Sequence, residues 1–188
     1  MERKTHYFYA LKLPNEVKSR LKEACHQLQK ELSFSKWVHH EDYHITLAFL
    51  GYARKDQLEA SIHHVKEALS SQQSFPLSIN QLGVFGKKDS PRIFWAGAEE
   101  SQELNQVRNL VYSACEEAEF QLDKRAFHPH ITLARKWSMD MAFSNDLLIN
   151  NNPFKNNPEH FIAMEIVLYL THLDKVPKYE EIERFSLK

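Results

Sequence analysis

One five-residue word, His-Ile-Thr-Leu-Ala, occurs twice in this chain, beginning at His44 and at His130, 86 positions apart (130 − 44). A repeat is read before anything else, because it fixes the unit from which the fold is built. Without gaps, the same offset lays Phe8 on Phe94, Tyr9 on Trp95 and Ala10 on Ala96. Further on it lays Leu21 on Val107, Cys25 on Val111 and Leu28 on Ala114. An offset that aligns an aromatic segment, an amphipathic segment and the motif predicts a duplicated unit. We therefore expect a single domain over residues 1–188, made of two lobes related by approximate twofold symmetry. Motif 1 stands at 44–47 and motif 2 at 130–133.

The periodicities around the motifs give the elements. Residues 6–11 are rich in aromatics and predict a strand, and Pro14 stands where a helix can begin. Val17, Leu21, Cys25, Leu28 and Leu32 then mark one helical face. Leu58, Ile62, Val65 and Leu69 mark a second, and Leu104, Val107, Val111 and Ala114 a third. Strands are expected at 43–50, 77–85, 92–98, 127–135 and 161–170, with a short one at 184–187. A turn-rich loop is expected at 86–91. The Asn- and Pro-rich stretch 145–158 predicts a surface loop.

In a strand, alternate side chains share a face, so His44 and Thr46 point one way while Ile45 and Leu47 point the other; His130 and Thr132 repeat the arrangement. Twofold symmetry would aim both pairs into one cleft. Two imidazoles and two hydroxyls there suit displacement at phosphorus. One histidine can take a proton from the attacking oxygen while the other protonates the leaving oxygen. The threonine hydroxyls would donate to the nonbridging oxygens. This chemistry needs no metal and no other cofactor.

Composition narrows the partners. Among 188 residues, 24 Lys and Arg stand against 25 Asp and Glu, a formal charge of −1. No global basic field is present to hold long nucleic acid, so a phosphate site must be local. Cys25 and Cys115 fall in helical patterns among apolar neighbours and read as buried thiols of a reducing cytosol. The charged start Met1–Lys4 leads into an apolar run broken by Lys12 and Pro14. No export signal or membrane span is expected, and the chain is expected to be a cytoplasmic monomer.

Four segments together resemble a known family. They are Tyr7-Phe8-Tyr9-Ala10-Leu11-Lys12-Leu13-Pro14, His44-Ile45-Thr46-Leu47-Ala48-Phe49-Leu50-Gly51, Pro91-Arg92-Ile93-Phe94-Trp95-Ala96-Gly97 and Pro129-His130-Ile131-Thr132-Leu133-Ala134-Arg135. They resemble the two-histidine phosphoesterases, specifically the bacterial RNA 2',3'-cyclic phosphodiesterases, also called 2'-5' RNA ligase-like proteins. The resemblance implies a bilobal α+β fold of antiparallel sheets with helices packed outside and a central cleft carrying both His-x-Thr motifs. It implies a metal-independent enzyme that opens RNA 2',3'-cyclic phosphate ends, or small cyclic nucleotides, to 2'-phosphates, with reversible 2'-5' ligation in some members.

Carried onto this chain, it implies His44 and His130 as catalytic residues and Thr46 and Thr132 as phosphate ligands. Arg135 matches a family arginine near the phosphate, and Phe49 stands at the equivalent place of the first motif as a stacking surface. By the same analogy His44 is the general acid and His130 the general base, an assignment the residues alone leave open. Leu168-Tyr169-Leu170-Thr171 departs from the family's usual Leu-Tyr-x-Ser.

Two other readings compete. A metal hydrolase could draw on His39, His40, Glu41, Asp42 and His44, or on His128 and His130. A noncatalytic RNA-end binder could use Lys87, Lys88, Arg92, Arg125, Arg135 and Lys136 with Phe127 or Trp137 for stacking.

Overall fold

The computed structural model describes residues 5–188, so the charged start lies outside them. The elements run β1 (His6–Lys12), α1 (Asn15–Leu28), β2 (Phe34–Trp37), a 3-10 turn (His40–Asp42) and β3 (His44–Gly51). There follow α2 (Lys55–Leu69), β4 (Phe75–Gly86), β5 (Pro91–Ala98) and α3 (Gln102–Glu117). The chain ends with β6 (His130–Trp137), α4 (Asp146–Asn151), β7 (Glu159–Ala163), β8 (Glu165–Thr171) and β9 (Tyr179–Ser186). The fold is α+β with two antiparallel sheets, ordered β3-β1-β8-β9 and β2-β6-β5-β4-β7. Each motif strand thus pairs with an aromatic strand, β3 with β1 and β6 with β5.

The helices form where the periodicity predicts, except that α1 stops at Leu28 and Leu32, expected on its face, is buried beyond its end. Pro14 caps α1, its carbonyl accepting from the Lys18 amide at 3.0 Å. The Ser101 hydroxyl accepts from the Leu104 amide at 3.1 Å at the start of α3 and satisfies one of the orphan donors there. α2 and α3 pack together, and α3 also lies against β3. Residues from Tyr9 to Leu187 join one continuous apolar core that runs through both halves.

Several boundaries differ from the sequence reading. The stretch 145–158 contains α4, because Leu148 and Phe154 are buried and draw the Asn-rich segment onto the core. The expected strand 161–170 is two strands that break at the exposed Met164 and belong to different sheets, β7 beside β4 and β8 beside β1. The strand expected from 127 begins at His130, and the terminal one extends back to Tyr179. β2, short and without alternation, is absent from the expectations.

The offset of 86 also slips by one residue in the first strands. Ala10 faces Thr46 while Trp95 faces Thr132, so Ala10 corresponds to Trp95, and Phe8 to Ile93. A one-residue slip exchanges the faces of a strand. Phe94 accordingly joins Tyr9 in the core, and Trp95 turns to the cleft side.

Candidate active site

Both motif strands carry the same irregularity. In the β1–β3 ladder Tyr9 pairs with Ala48 and Ala10 with Thr46, which leaves Leu47 as an extra residue. In the β5–β6 ladder Phe94 pairs with Ala134 and Trp95 with Thr132, which leaves Leu133. An extra residue resets the alternation of a strand. Leu47 and Ala48 are therefore both buried, as are Leu133 and Ala134, and the next residue of each strand emerges on the motif face. Strict alternation would send Phe49 and Arg135 to the core side. The bulge returns them to the side of the histidines and threonines.

His44, Thr46, Phe49, His130, Thr132 and Arg135 consequently line one cavity of about 430 Å³. Phe8 and Ile93, the corresponding positions of β1 and β5, line it too. The sequence expectation that both pairs share a cleft matches this geometry.

The two imidazoles are held alike. His44 Nδ1 donates to the Asp42 carbonyl at 2.7 Å, and His130 Nδ1 donates to the His128 carbonyl at 2.7 Å. Each bond comes from the residue two positions earlier and fixes the neutral tautomer with Nε2 unprotonated. The Thr46 hydroxyl donates to His44 Nε2 at 3.0 Å.

Aromatic rings enclose both. Phe8 and Tyr179 stand 4.8 and 5.1 Å from His44 between ring centres, and Phe85 meets His130 edge-on at 4.9 Å. Burial therefore pushes the His44 pKa down to about 4, an effect the Asp42 carbonyl opposes and the nearby Lys18, His130 and Arg135 reinforce. His130 is lowered as well, again chiefly by burial and against the pull of the His128 carbonyl.

Asp42 does more than lend its carbonyl. Its buried carboxylate accepts from the Lys178 amide at 2.9 and 3.1 Å and from the Tyr179 amide at 3.3 Å. It thereby ties the β8–β9 hairpin to the turn before His44. Trp95 plays the flanking part beside His130 and lies so close over Gly83 that a Cβ there would come within 2.1 Å of its ring. Sequence reasoning missed both devices. Asp42 reads from the sequence only as one of the His, Glu and Asp residues that could hold a metal, and the signal at Gly83 is only a glycine inside a strand pattern.

The rival sites do not assemble. Among the described residues no group of three His, Cys, Asp or Glu side chains converges to hold a metal ion. Asp42 is turned to the hairpin amides, and His39 Nδ1 accepts from the Glu41 amide. Of the basic set, Arg125 pairs with Asp123, and Trp137 is buried with its indole N–H donating to the Met141 carbonyl at 2.9 Å. Arg135 alone of that set lines the cavity. Cys25 and Cys115 are free and buried. No helix among the described residues is long and apolar enough to cross a membrane.

Residues 12–157 match the 2'-5' RNA ligase superfamily. An RNA 2',3'-cyclic phosphodiesterase of Geobacillus stearothermophilus is 40% identical over 185 residues, 98% of this chain and 58% of its own length, so this chain spans less than two thirds of that relative. A protein of the same name from Bacillus subtilis (strain 168) is 34% identical over 182 residues, 97% of this chain and 96% of its own. The crystal structure of E. coli LigT complexed with 3'-AMP shares the fold, with a TM-score of 0.77 at 23% identity over 98% of each chain.

Proposed function

The chain belongs to the 2'-5' RNA ligase superfamily, and on that premise we propose that it hydrolyses RNA 2',3'-cyclic phosphate ends, or the corresponding small cyclic nucleotides, to 2'-phosphomonoesters. The observation that carries this reading is the pair of imidazoles on one cavity, each with Nδ1–H held by a carbonyl, so that Nε2 is the proton-transfer nitrogen of both; that of His44 meets the Thr46 hydroxyl. Water attacks phosphorus as one imidazole takes its proton. The bond to the 3' oxygen breaks as the other imidazole, protonated, gives that oxygen a proton. Thr46 and Thr132 donate to the nonbridging oxygens, and Arg135 can fork across two of them.

The hydrogen bonds favour His130 as the base. Its Nε2 has no protein donor among the described residues, whereas that of His44 is engaged by Thr46. His44 then serves as the acid, taking its proton when a phosphate anion arrives. The same pair with exchanged roles would run 2'-5' ligation.

We also read the two halves as copies of one unit, a reading supported by the matching three-strand runs β3-β1-β8 and β6-β5-β4 and by the matching bulges. Two free, buried thiols suit the cytoplasm.

Replacing His44 or His130 by Ala is expected to lower turnover of a nucleoside 2',3'-cyclic phosphate by at least ~10²-fold, measured with the product isomer identified. Retained turnover in either variant overturns the mechanism. A chelator should leave the rate unchanged; loss restored by zinc would point to metal chemistry instead.

A further inference from the structure

Lys36 of β2 stands directly opposite Arg135 of β6 in the antiparallel ladder, and both line the cavity. Residues so paired have Cβ atoms about 5 Å apart, and like charges at such a pair destabilise a sheet. Among the described residues neither side chain belongs to an ion pair, although Lys12, Lys18, Arg20 and Arg184 each find a carboxylate. The one carboxylate on the cavity wall, Asp42, is committed to the hairpin amides. The two cations therefore face each other unneutralised, an arrangement that an anion between them would relieve.

That anion need not be the reacting phosphate alone, which already has two imidazoles, two threonine hydroxyls and the near side of the Arg135 guanidinium. Arg135 lies three residues beyond Thr132, roughly 10 Å along a strand less the share taken by the bulge. The Lys36–Arg135 pair thus stands to one side of the His-Thr level. A cyclic phosphodiester brings one negative charge, and an RNA chain brings one more with each linkage upstream. On the opposite wall the exposed Phe49 meets His6 edge-on at 5.7 Å between ring centres, and the cation there, Lys178, stands beside the Asp42 carboxylate rather than opposite a second cation.

We propose that Lys36, with Arg135, forms a subsite for the phosphodiester one linkage upstream of the cyclic phosphate, so that the cleft prefers the end of an RNA chain to a mononucleoside. This rests on the cyclic-phosphate reading of the site. The chain leaves the cleft across β2 and β6. Arg135, with five donors, can serve both phosphates, whereas Lys36 serves the upstream one.

The test compares kcat/KM for a dinucleotide ending in a 2',3'-cyclic phosphate with that for the matching nucleoside 2',3'-cyclic phosphate, in the wild-type protein, Lys36→Gln and Lys36→Arg. We expect the wild type to favour the dinucleotide. Lys36→Gln should lose about tenfold on the dinucleotide, the scale of one charge-assisted contact, and under about twofold on the nucleoside. Lys36→Arg should keep the preference, and a dinucleotide whose upstream linkage is an uncharged methylphosphonate should forfeit it.

The salt slope for the dinucleotide should fall by about 0.7 in Lys36→Gln, the share of one neutralised single-strand phosphate. The thermal midpoint of Lys36→Gln should hold or rise, because a like-charge pair is removed. A lowered midpoint would mean that Lys36 stabilises the sheet, and would overturn the strained-pair argument. Equal losses on both substrates would assign Lys36 to the reacting phosphate and overturn the subsite, as would a wild type without preference. Failure of the wild type to open either substrate would instead strike the underlying reading of the function.

Discussion

At the scale of single residues, two histidines of identical local sequence are set apart by what surrounds them. Both are held below the ordinary histidine range by burial, so both are neutral in the free protein at pH 7. On the proposed mechanism, the acid form that protonates the leaving oxygen is then scarce until a phosphate anion enters. We expect the kcat/KM profile for a nucleoside 2',3'-cyclic phosphate to be bell-shaped with its maximum below pH 6.5. The kcat profile should lie to the alkaline side, because the bound anion stabilises the imidazolium. A maximum above pH 7 in both profiles would contradict the burial argument.

The same depression reaches stability. The native His44 pKa of about 4 lies under the ordinary 6.5, so as pH falls the unfolded chain takes up the proton first. The fold should lose stability between about pH 6.5 and 4, by roughly 3 kcal/mol in all, and no further below. Denaturant midpoints across that window should decline less steeply for His44→Gln than for the wild type.

At the scale of elements, the bulges and the hairpin tie decide what the motif strands present. Gly83→Ala is expected to displace Trp95 from its place over β4. The cost should be about 1–3 kcal/mol of stability, with a fall in kcat, since Trp95 flanks His130. Urea midpoints and turnover would check both. Asp42→Asn replaces an acceptor of the Lys178 and Tyr179 amides by a group that is half donor. It should lower kcat by more than the midpoint loss explains, read as turnover at a temperature where the variant remains folded.

Much of this level was legible beforehand. The three helices, the motif strands and their shared cleft follow from periodicity and the repeat. The emergence of Phe49 and Arg135 was not legible from alternation, because a bulge is set by the partner strand rather than by the bulged residues. β2 was invisible for a related reason: four residues, Phe34 to Trp37, carry no period and become a strand only because β6 offers them an edge. Asp42 was seen, but its partner amides lie at the far end of the chain, and nothing local announces them.

At the scale of the whole molecule, one core runs through both halves, and segments distant in sequence complete it. Cys25 and Cys115, in α1 and α3, report on that core from both halves. Burial pushes their thiols up to about 11 and about 12, so neither is a ready nucleophile in the native state. A thiol reagent at pH 8 should label both only as fast as the protein opens, with one shared rate if the halves unfold as a unit. Prompt labelling of one cysteine would mean that its half opens alone.

The carboxylate of Asp42 meets the Lys178 amide across 136 positions of chain. A ribosome that has made both motifs has therefore not yet made the hairpin that places Tyr179 beside His44. The first motif is translated early and finished late. A nascent chain halted before β9 would carry every residue of both motifs and still lack the ring that encloses its first histidine.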